Sequence, residues 1–397
     1  MVRTFNKRVE LFRESPTRKI DKIKEEEARR GKDIILLSTG QPSIPPPRRT
    51  RELLSRDLLE ESSHLYSYTP TRGYASLIEA IVEDMKYFGV ELEPEQVTAT
   101  AGGQSALFAA ITSLIEPGDE VIVLDPMYFG YWPLLDYAGA KVKTVTTTFQ
   151  GGFQPDPEKL KEAVSRRTKM IIVVSPDNPT GRVLSLEAAK TIADLAVEHD
   201  FWILVDEAYR TLVYEGEHVY IYNIAPGHTV ALNAFSKDPG IPGWRLGFAY
   251  GPAEAIRRIR LVVQETVYCP PSPAQRLVEY YLRDRETRLS FMEYLRREYT
   301  RRRDTLLKAL EEHLPEVVAF KPQGGMFVFA DFTPLLKGMT AEELAVRLLR
   351  EEGVAVVPGS YFSQTHKGSI RLSFSGEPPE RLRLGVEKIA SFLRRAG

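Results

Sequence analysis

The sequence predicts an α/β protein in two parts. A large domain over residues 51–285 carries a mostly parallel sheet sandwiched by helices, and residues 1–50 with 286–397 make a smaller α+β domain. Three observations carry this expectation. Apolar runs of strand length alternate with helical patterns from about Arg51 to Arg285, and such alternation builds crossovers that cover both faces of a parallel sheet. At Glu286 the texture changes to a long helical stretch rich in Arg and Glu, followed by short strands. Finally, 397 residues that are 43% hydrophobic can bury a large core.

In chain order, Ser15 to Arg30 reads as a charged helix with Glu/Lys support, and Asp33 to Leu37 as a strand. Ala75 to Phe88 is helical. Val97 to Thr100 is a short strand that enters the turn Ala101-Gly102-Gly103 and then a helix from Gln104 to Ile111. Glu120 to Leu124 and Lys141 to Thr146 are strands. Met170 to Val174 and Phe201 to Val205 are unbroken apolar runs, the pattern of strands buried on both faces, with a helix from Ser185 to His199 between them. After the Glu286 to His313 helix, Val317 to Phe332, Val354 to Val357 and Ser369 to Phe374 look like strands, closed by a helix from Glu380 to Arg395. The N-terminal segment is expected to pack on this smaller domain.

Composition excludes several classes of function. Lys+Arg 53 against Asp+Glu 54 leaves a net charge of -1, which offers nothing to nucleic acid or a polyanion. The one cysteine, Cys269, rules out an internal disulfide and suits a reducing compartment. No run approaches the roughly twenty apolar residues that span a bilayer, and the first residues lack a signal-peptide core, so a cytoplasmic protein is expected. The six histidines show no ligand spacing; each reads as a surface or loop residue, and no metal is expected.

The chemistry-bearing residues fall in loops at strand ends, where open α/β sheets bind ligands. Asn178 lies in Ser175-Pro176-Asp177-Asn178-Pro179-Thr180-Gly181, just beyond one apolar strand, and Asp206-Glu207-Ala208-Tyr209 ends the next. Taken singly, Asp206 reads more simply as a carboxylate capping a turn. Strand, glycines and helix start at Val97 to Ile111 can cradle an anion with backbone N–H groups; no P-loop or dinucleotide fingerprint is present. Lys237 and Arg245 share the stretch Ala234-Phe235-Ser236-Lys237-Asp238-Pro239-Gly240-Ile241-Pro242-Gly243-Trp244-Arg245-Leu246-Gly247. A lysine on such a turn can lose its charge and condense with an aldehyde, and a nearby guanidinium can hold a phosphate. Arg371 alternates with apolar residues in Gly368-Ser369-Ile370-Arg371-Leu372-Ser373-Phe374; its planar fork suits a carboxylate, and an exposed ion pair is the commoner fate of such a residue.

These strings, in this order, resemble the class I/II aminotransferases of fold type I, the aspartate/aromatic aminotransferase-like enzymes that use pyridoxal 5'-phosphate, with the likeness running from Gly40 to Arg371. The resemblance implies that Lys237 holds the cofactor, that Asp206 pairs with its ring nitrogen, and that Asn178 and Tyr209 meet its ring oxygen. It assigns Gly103, Gln104, Arg245 and Ser236 to the phosphate, and Tyr128 to stacking on the ring. Tyr68 corresponds to the tyrosine that reaches across a homodimer to the partner's phosphate. Gly40, Asn178 and Arg371 match the substrate carboxylate site. Two departures stand out. Ala234 occupies a position where many members have a phosphate-binding serine, and Gln104 one where some aspartate aminotransferases carry a lysine for the distal carboxylate.

The implied reaction moves an amino group from an L-amino acid to a 2-oxo acid, 2-oxoglutarate or pyruvate, by ping-pong kinetics. Lyases, decarboxylases and cyclising synthases share the fold. A ligand-sensing module is disfavoured because no helix-turn-helix domain fits ahead of Gly40 and the net charge is near zero.

Overall fold

The computed structural model describes residues 6–12, 15–60 and 64–396. The two-residue strand β1 (Ile35–Leu36) precedes the seven strands of the large sheet: β2 (Val97–Thr100), β3 (Glu120–Asp125), β4 (Lys141–Thr146), β5 (Thr168–Val174), β6 (Trp202–Asp206), β7 (Thr229–Ala234) and β8 (Gly247–Tyr250). Their spatial order is β2-β8-β7-β6-β5-β3-β4. β8 alone runs against the common strand direction, pairing antiparallel with β2 and β7 while the other pairs are parallel, so the expectation of a mostly parallel sheet holds.

The apolar runs are unbroken because both faces are covered. Ile122, Leu124, Ile171, Val173, Ile203 and Val205 join the core on one face, and Val121, Val123, Met170, Ile172 and Leu204 join the core on the other. Each such side chain contributes about 1.5–3 kcal/mol when fully buried, which overrides any local preference for a half-exposed, alternating strand. The helix between β5 and β6 spans Leu186–His199. It begins where Ser185 Oγ accepts the Ala188 N–H at 3.1 Å, a side-chain cap for an otherwise orphaned donor.

Register then places the chemistry. Val174 lies opposite Asp206, and Asp206 opposite Leu232, so β5, β6 and β7 end side by side. The loops that carry Asn178, Asp206 and Lys237 therefore leave the sheet at one edge.

A second sheet forms farther along the chain from β9 (Val318–Ala319), β10 (Phe327–Asp331), β12 (Val357–Pro358) and β13 (Ser369–Ser373), all antiparallel in the order β12-β13-β10-β9. The strand β11 (Val354–Ala355) pairs with β1 in parallel, which ties the N-terminal segment to this part of the molecule. Two sequence expectations change here. The Val317 to Phe332 strand is interrupted, because Gln323 and Gly324 turn aside to donate their N–H groups to Gly181 O beside β5. The Val354 to Val357 strand divides in two because its halves pair with different partners, β1 and β13. The Arg285–His313 helix packs against the closing helix Pro379–Ala396.

Among the described residues, no helix is long and apolar enough to cross a membrane, and no group of three or more His, Cys, Asp or Glu is placed to hold a metal ion.

Candidate active site

The ends of β5, β6 and β7, the start of the Gly103–Leu114 helix, the Ser38–Gln41 loop and one face of the Arg18–Arg29 helix enclose a cavity of about 440 Å³. Gly40, Gly103, Gln104, Tyr128, Asn178, Asp206, Tyr209, Ser236, Lys237, Arg245 and Arg371 all line it. Of the residues expected from sequence only Tyr68 lies elsewhere. It is 84% exposed, and its ring meets Tyr268 edge-on at 5.2 Å in a separate depression beside Cys269.

Lys237 sits three residues past β7. Its amine donates to Gly40 O at 2.6 Å and lies 5.5 Å from the Tyr209 ring centre. Burial, with the Arg371 charge adding to it, pulls its pKa down to about 8. A lysine in that range holds a far larger neutral, nucleophilic fraction near neutral pH than an ordinary surface lysine. Asp206, the last residue of β6, accepts the Tyr131 hydroxyl at 2.7 Å and the Ala208 N–H at 3.0 Å. Burial nevertheless raises its pKa above the usual carboxylate value, so a cationic partner would be welcome there. Its neighbour Glu207 points away into the core, where Tyr250 OH donates at 2.8 Å and His218 Nε2 lies 3.3 Å away. His218 is a loop residue as expected, but its imidazole is buried, because the Glu207 carboxylate needs polar partners inside the core.

Arg371 is 4% exposed. Its Nη1 donates to Asn178 Oδ1 at 3.0 Å and its Nη2 to Ser38 O at 2.7 Å, while Nε is buried with no protein acceptor. The rings of Phe327 and Phe362 lie 4.1 and 4.9 Å from the guanidinium carbon. Burial draws its pKa down to about 10. An exposed ion pair, the commoner fate of such a residue, is not what the structure shows: Arg371 is a desolvated cation whose Nε has no protein acceptor.

At the other end, Arg245 adopts φ 52 and donates from Nη1 to Pro242 O at 2.8 Å. Its guanidinium packs against Gly102, where a Cβ would fall 2.6 Å from Nη2. Gly102 has φ 86 and caps the Gly103–Leu114 helix, so the glycine serves both the turn and the close approach. The helix N-terminus and Arg245 together make an anion cradle.

Sequence reasoning missed Tyr131, Phe327 and Phe362. No spacing marks Tyr131 as the Asp206 partner. Phe327 had a faint signal: Phe329 pairs with Arg371 across β10 and β13, so Phe327, two residues away on β10, shares that face.

Residues 32–389 match the family model "Aminotransferase class I and II". The chain belongs to this family. It is 37% identical over 396 residues to the aspartate/prephenate aminotransferase of Thermus thermophilus, covering 100% of each chain. It is also 32% identical to aromatic-amino-acid aminotransferase 2 of Thermococcus litoralis, covering 91% of this chain and 92% of that one. A solved double mutant of Thermus thermophilus aspartate aminotransferase superimposes with a TM-score of 0.92 at 36% identity, covering 98% of this chain and 100% of the other. The protein is a pyridoxal-phosphate-dependent aminotransferase acting on amino acids and 2-oxo acids. The residues fit that cofactor: a lysine amine lowered to about 8, a buried carboxylate poised for a cation, and a glycine cradle that a Cβ would fill.

Proposed function

We propose that the aminotransferase works through the residues gathered in this one cavity. Lys237 attaches the cofactor, and Asp206 faces the ring nitrogen. Tyr128 covers the ring, while Asn178 and Tyr209 meet its oxygen. Gly103, Gln104, Ser236 and Arg245 receive the phosphate. Pyridoxal phosphate, once bound, supplies an electron sink that Asp206 keeps effective by holding the ring nitrogen protonated.

The remaining work belongs to the chain. Arg371 fixes the substrate carboxylate through its fork, with Asn178 and Gly40 beside it. Once the incoming substrate amine has displaced it from the cofactor, Lys237 Nζ, half uncharged at its pKa of about 8, would take the proton from the substrate α-carbon and return it one position along, as general base and then acid. The observation that carries this reading is the unspent Nε of the buried Arg371 in the same cavity as Lys237 and Asp206. The second half-reaction consumes a 2-oxo acid, 2-oxoglutarate or pyruvate, in the cytoplasm.

We further infer a homodimer in which Tyr68 reaches the partner's phosphate site; its high exposure outside its own cavity supports this. Residues 51–285 act as one domain and 1–50 with 286–397 as the other, a division supported by the β1–β11 pairing. Lys237→Ala is the direct test. It should abolish both the visible absorption of the bound cofactor and turnover, and persistence of both overturns the assignment.

A further inference from the structure

Residues 359–366 leave β12 and pack against the ends of β3 and β4, far away in the chain. Ser363 Oγ donates to Asp125 Oδ2 at 2.8 Å, the Met127 N–H donates to Phe362 O at 2.9 Å, and His366 Nε2 lies 2.9 Å from Thr147 O. The segment is folded around the same hydroxyl: Ser363 Oγ accepts the N–H groups of Thr365 and His366 at 3.0 and 2.9 Å. Asp125, Phe362 and Ser363 are buried. Burial raises the Asp125 pKa above the usual carboxylate value, so a donor reaching this carboxylate from the segment relieves its desolvation.

Neither Asp125, Phe362 nor Ser363 lines the cavity, yet Phe362 bears directly on it. Its ring lies 4.9 Å from the Arg371 guanidinium carbon, on which the Phe327 ring also packs at 4.1 Å. The two rings are held differently. Phe327 is part of β10, hydrogen-bonded to the strand that carries Arg371, whereas Phe362 stands in a loop whose ties run to the large sheet. A buried guanidinium with few protein acceptors takes its aim from packing, and rings that exclude water strengthen its attraction for an anion.

We propose that Ser363 and Asp125 are positioning residues for the substrate carboxylate: their hydrogen bond ties residues 359–366 to the end of β3, which seats Phe362 against Arg371 and keeps the guanidinium fork aimed and dry. The proposal rests on the assignment of Arg371 to the α-carboxylate.

Calorimetric titration of the cofactor-loaded enzyme with two unreactive carboxylates, maleate and hydrocinnamate, tests it without turnover. Ser363→Ala should weaken both by about tenfold, the worth of one hydrogen bond to a charged group, whereas Ser363→Thr keeps the hydroxyl and should bind both as the native enzyme does. Asp125→Ala breaks the same hydrogen bond from the other side and should match Ser363→Ala. Phe362→Leu should also weaken both by about tenfold. Adding Ser363→Ala to it should then change affinity by less than about twofold, because Ser363 acts through that ring. In turnover, Ser363→Ala should raise KM for amino acid and 2-oxo acid alike by about tenfold with kcat within about twofold, and its capture of pyridoxal phosphate by the cofactor-free protein should match the native rate.

Unaltered analogue affinity in Ser363→Ala overturns the proposal. So does a Ser363→Ala loss that adds in full to that of Phe362→Leu, or a fall in cofactor capture as large as the fall in analogue affinity, since either marks Ser363 as a structural contact only. Arg371→Leu locates a failure. It should weaken both analogues well beyond Ser363→Ala; if it does and Ser363→Ala does not, the positioning role alone is wrong, and if it weakens neither, the carboxylate assignment has failed and the proposal falls with it.

Discussion

Arg288 and Arg371 are equally withdrawn from water, 3% and 4% exposed, yet their surroundings are opposite. Burial opposes the charge on Arg288, but two carboxylates outweigh it and its pKa is raised. Its Nε and Nη2 donate to Asp84, the latter at 2.9 Å, and its Nη1 to Asp238 Oδ2 at 3.2 Å. Arg210 completes the cluster by donating to Asp84 at 2.8 Å. Around Arg371 burial meets no carboxylate among the described residues, only carbonyl acceptors and two phenyl rings, and the pKa falls to about 10. The difference separates the uses of a buried cation. The compensated one joins elements of the fold, including the Asp238 that follows Lys237. The uncompensated one is left for a ligand to complete.

The sharpest way to break this comparison is Arg371→Leu. Its kcat/KM should fall about thousandfold, the cost of losing a buried charged partner, while the melting temperature of the cofactor-free protein stays level or rises, since an unpaired desolvated cation has gone. A marked fall in melting temperature would show Arg371 to be structural after all. Arg288→Met should do the reverse. Asp84 and Asp238 then lose their shared partner, and chemical denaturation should register a loss of about 3–5 kcal/mol; unchanged stability contradicts the compensated reading.

A third measurement uses pH. The folded pKa of Lys237, about 8, lies below its unfolded value, so the native state resists protonation there. The penalty is present in full below about pH 8 and is relieved as pH rises toward the unfolded pKa. Capture of pyridoxal phosphate by the cofactor-free protein should therefore rise about tenfold per unit up to pH 8 and level off beyond it. A rise continuing past pH 10 means that an ordinary surface lysine is reacting. The smallest effect belongs to Tyr131→Phe. Removing its hydrogen bond should push the Asp206 pKa higher still and lower kcat roughly tenfold, the worth of one hydrogen bond to a charged group. An unaltered kcat would make that contact incidental.

The large sheet was legible because strands buried on both faces leave long apolar runs, as at Met170 to Val174 and Phe201 to Val205, and the strand-end loops follow from those runs. The smaller sheet was less so. In the Val317 to Phe332 stretch nothing local announces that Gln323 and Gly324 will bond Gly181 from far away in the chain. Asn178, Asp206, Lys237 and Arg371 were found through motifs, whereas Tyr131, Phe327 and Phe362 act through contacts that no motif spells out.

By itself the amino-acid order determined the alternating architecture, the cofactor class and which residues gather in the cavity, since periodicity and short motifs are local properties of the chain. Only the tertiary structure decided which charges are compensated. The isolation of Arg371 and the pairing of Arg288 arise when distant segments pack together and exclude water. Desolvation and ion pairing depend on neighbours in space, and those exist only in the folded molecule.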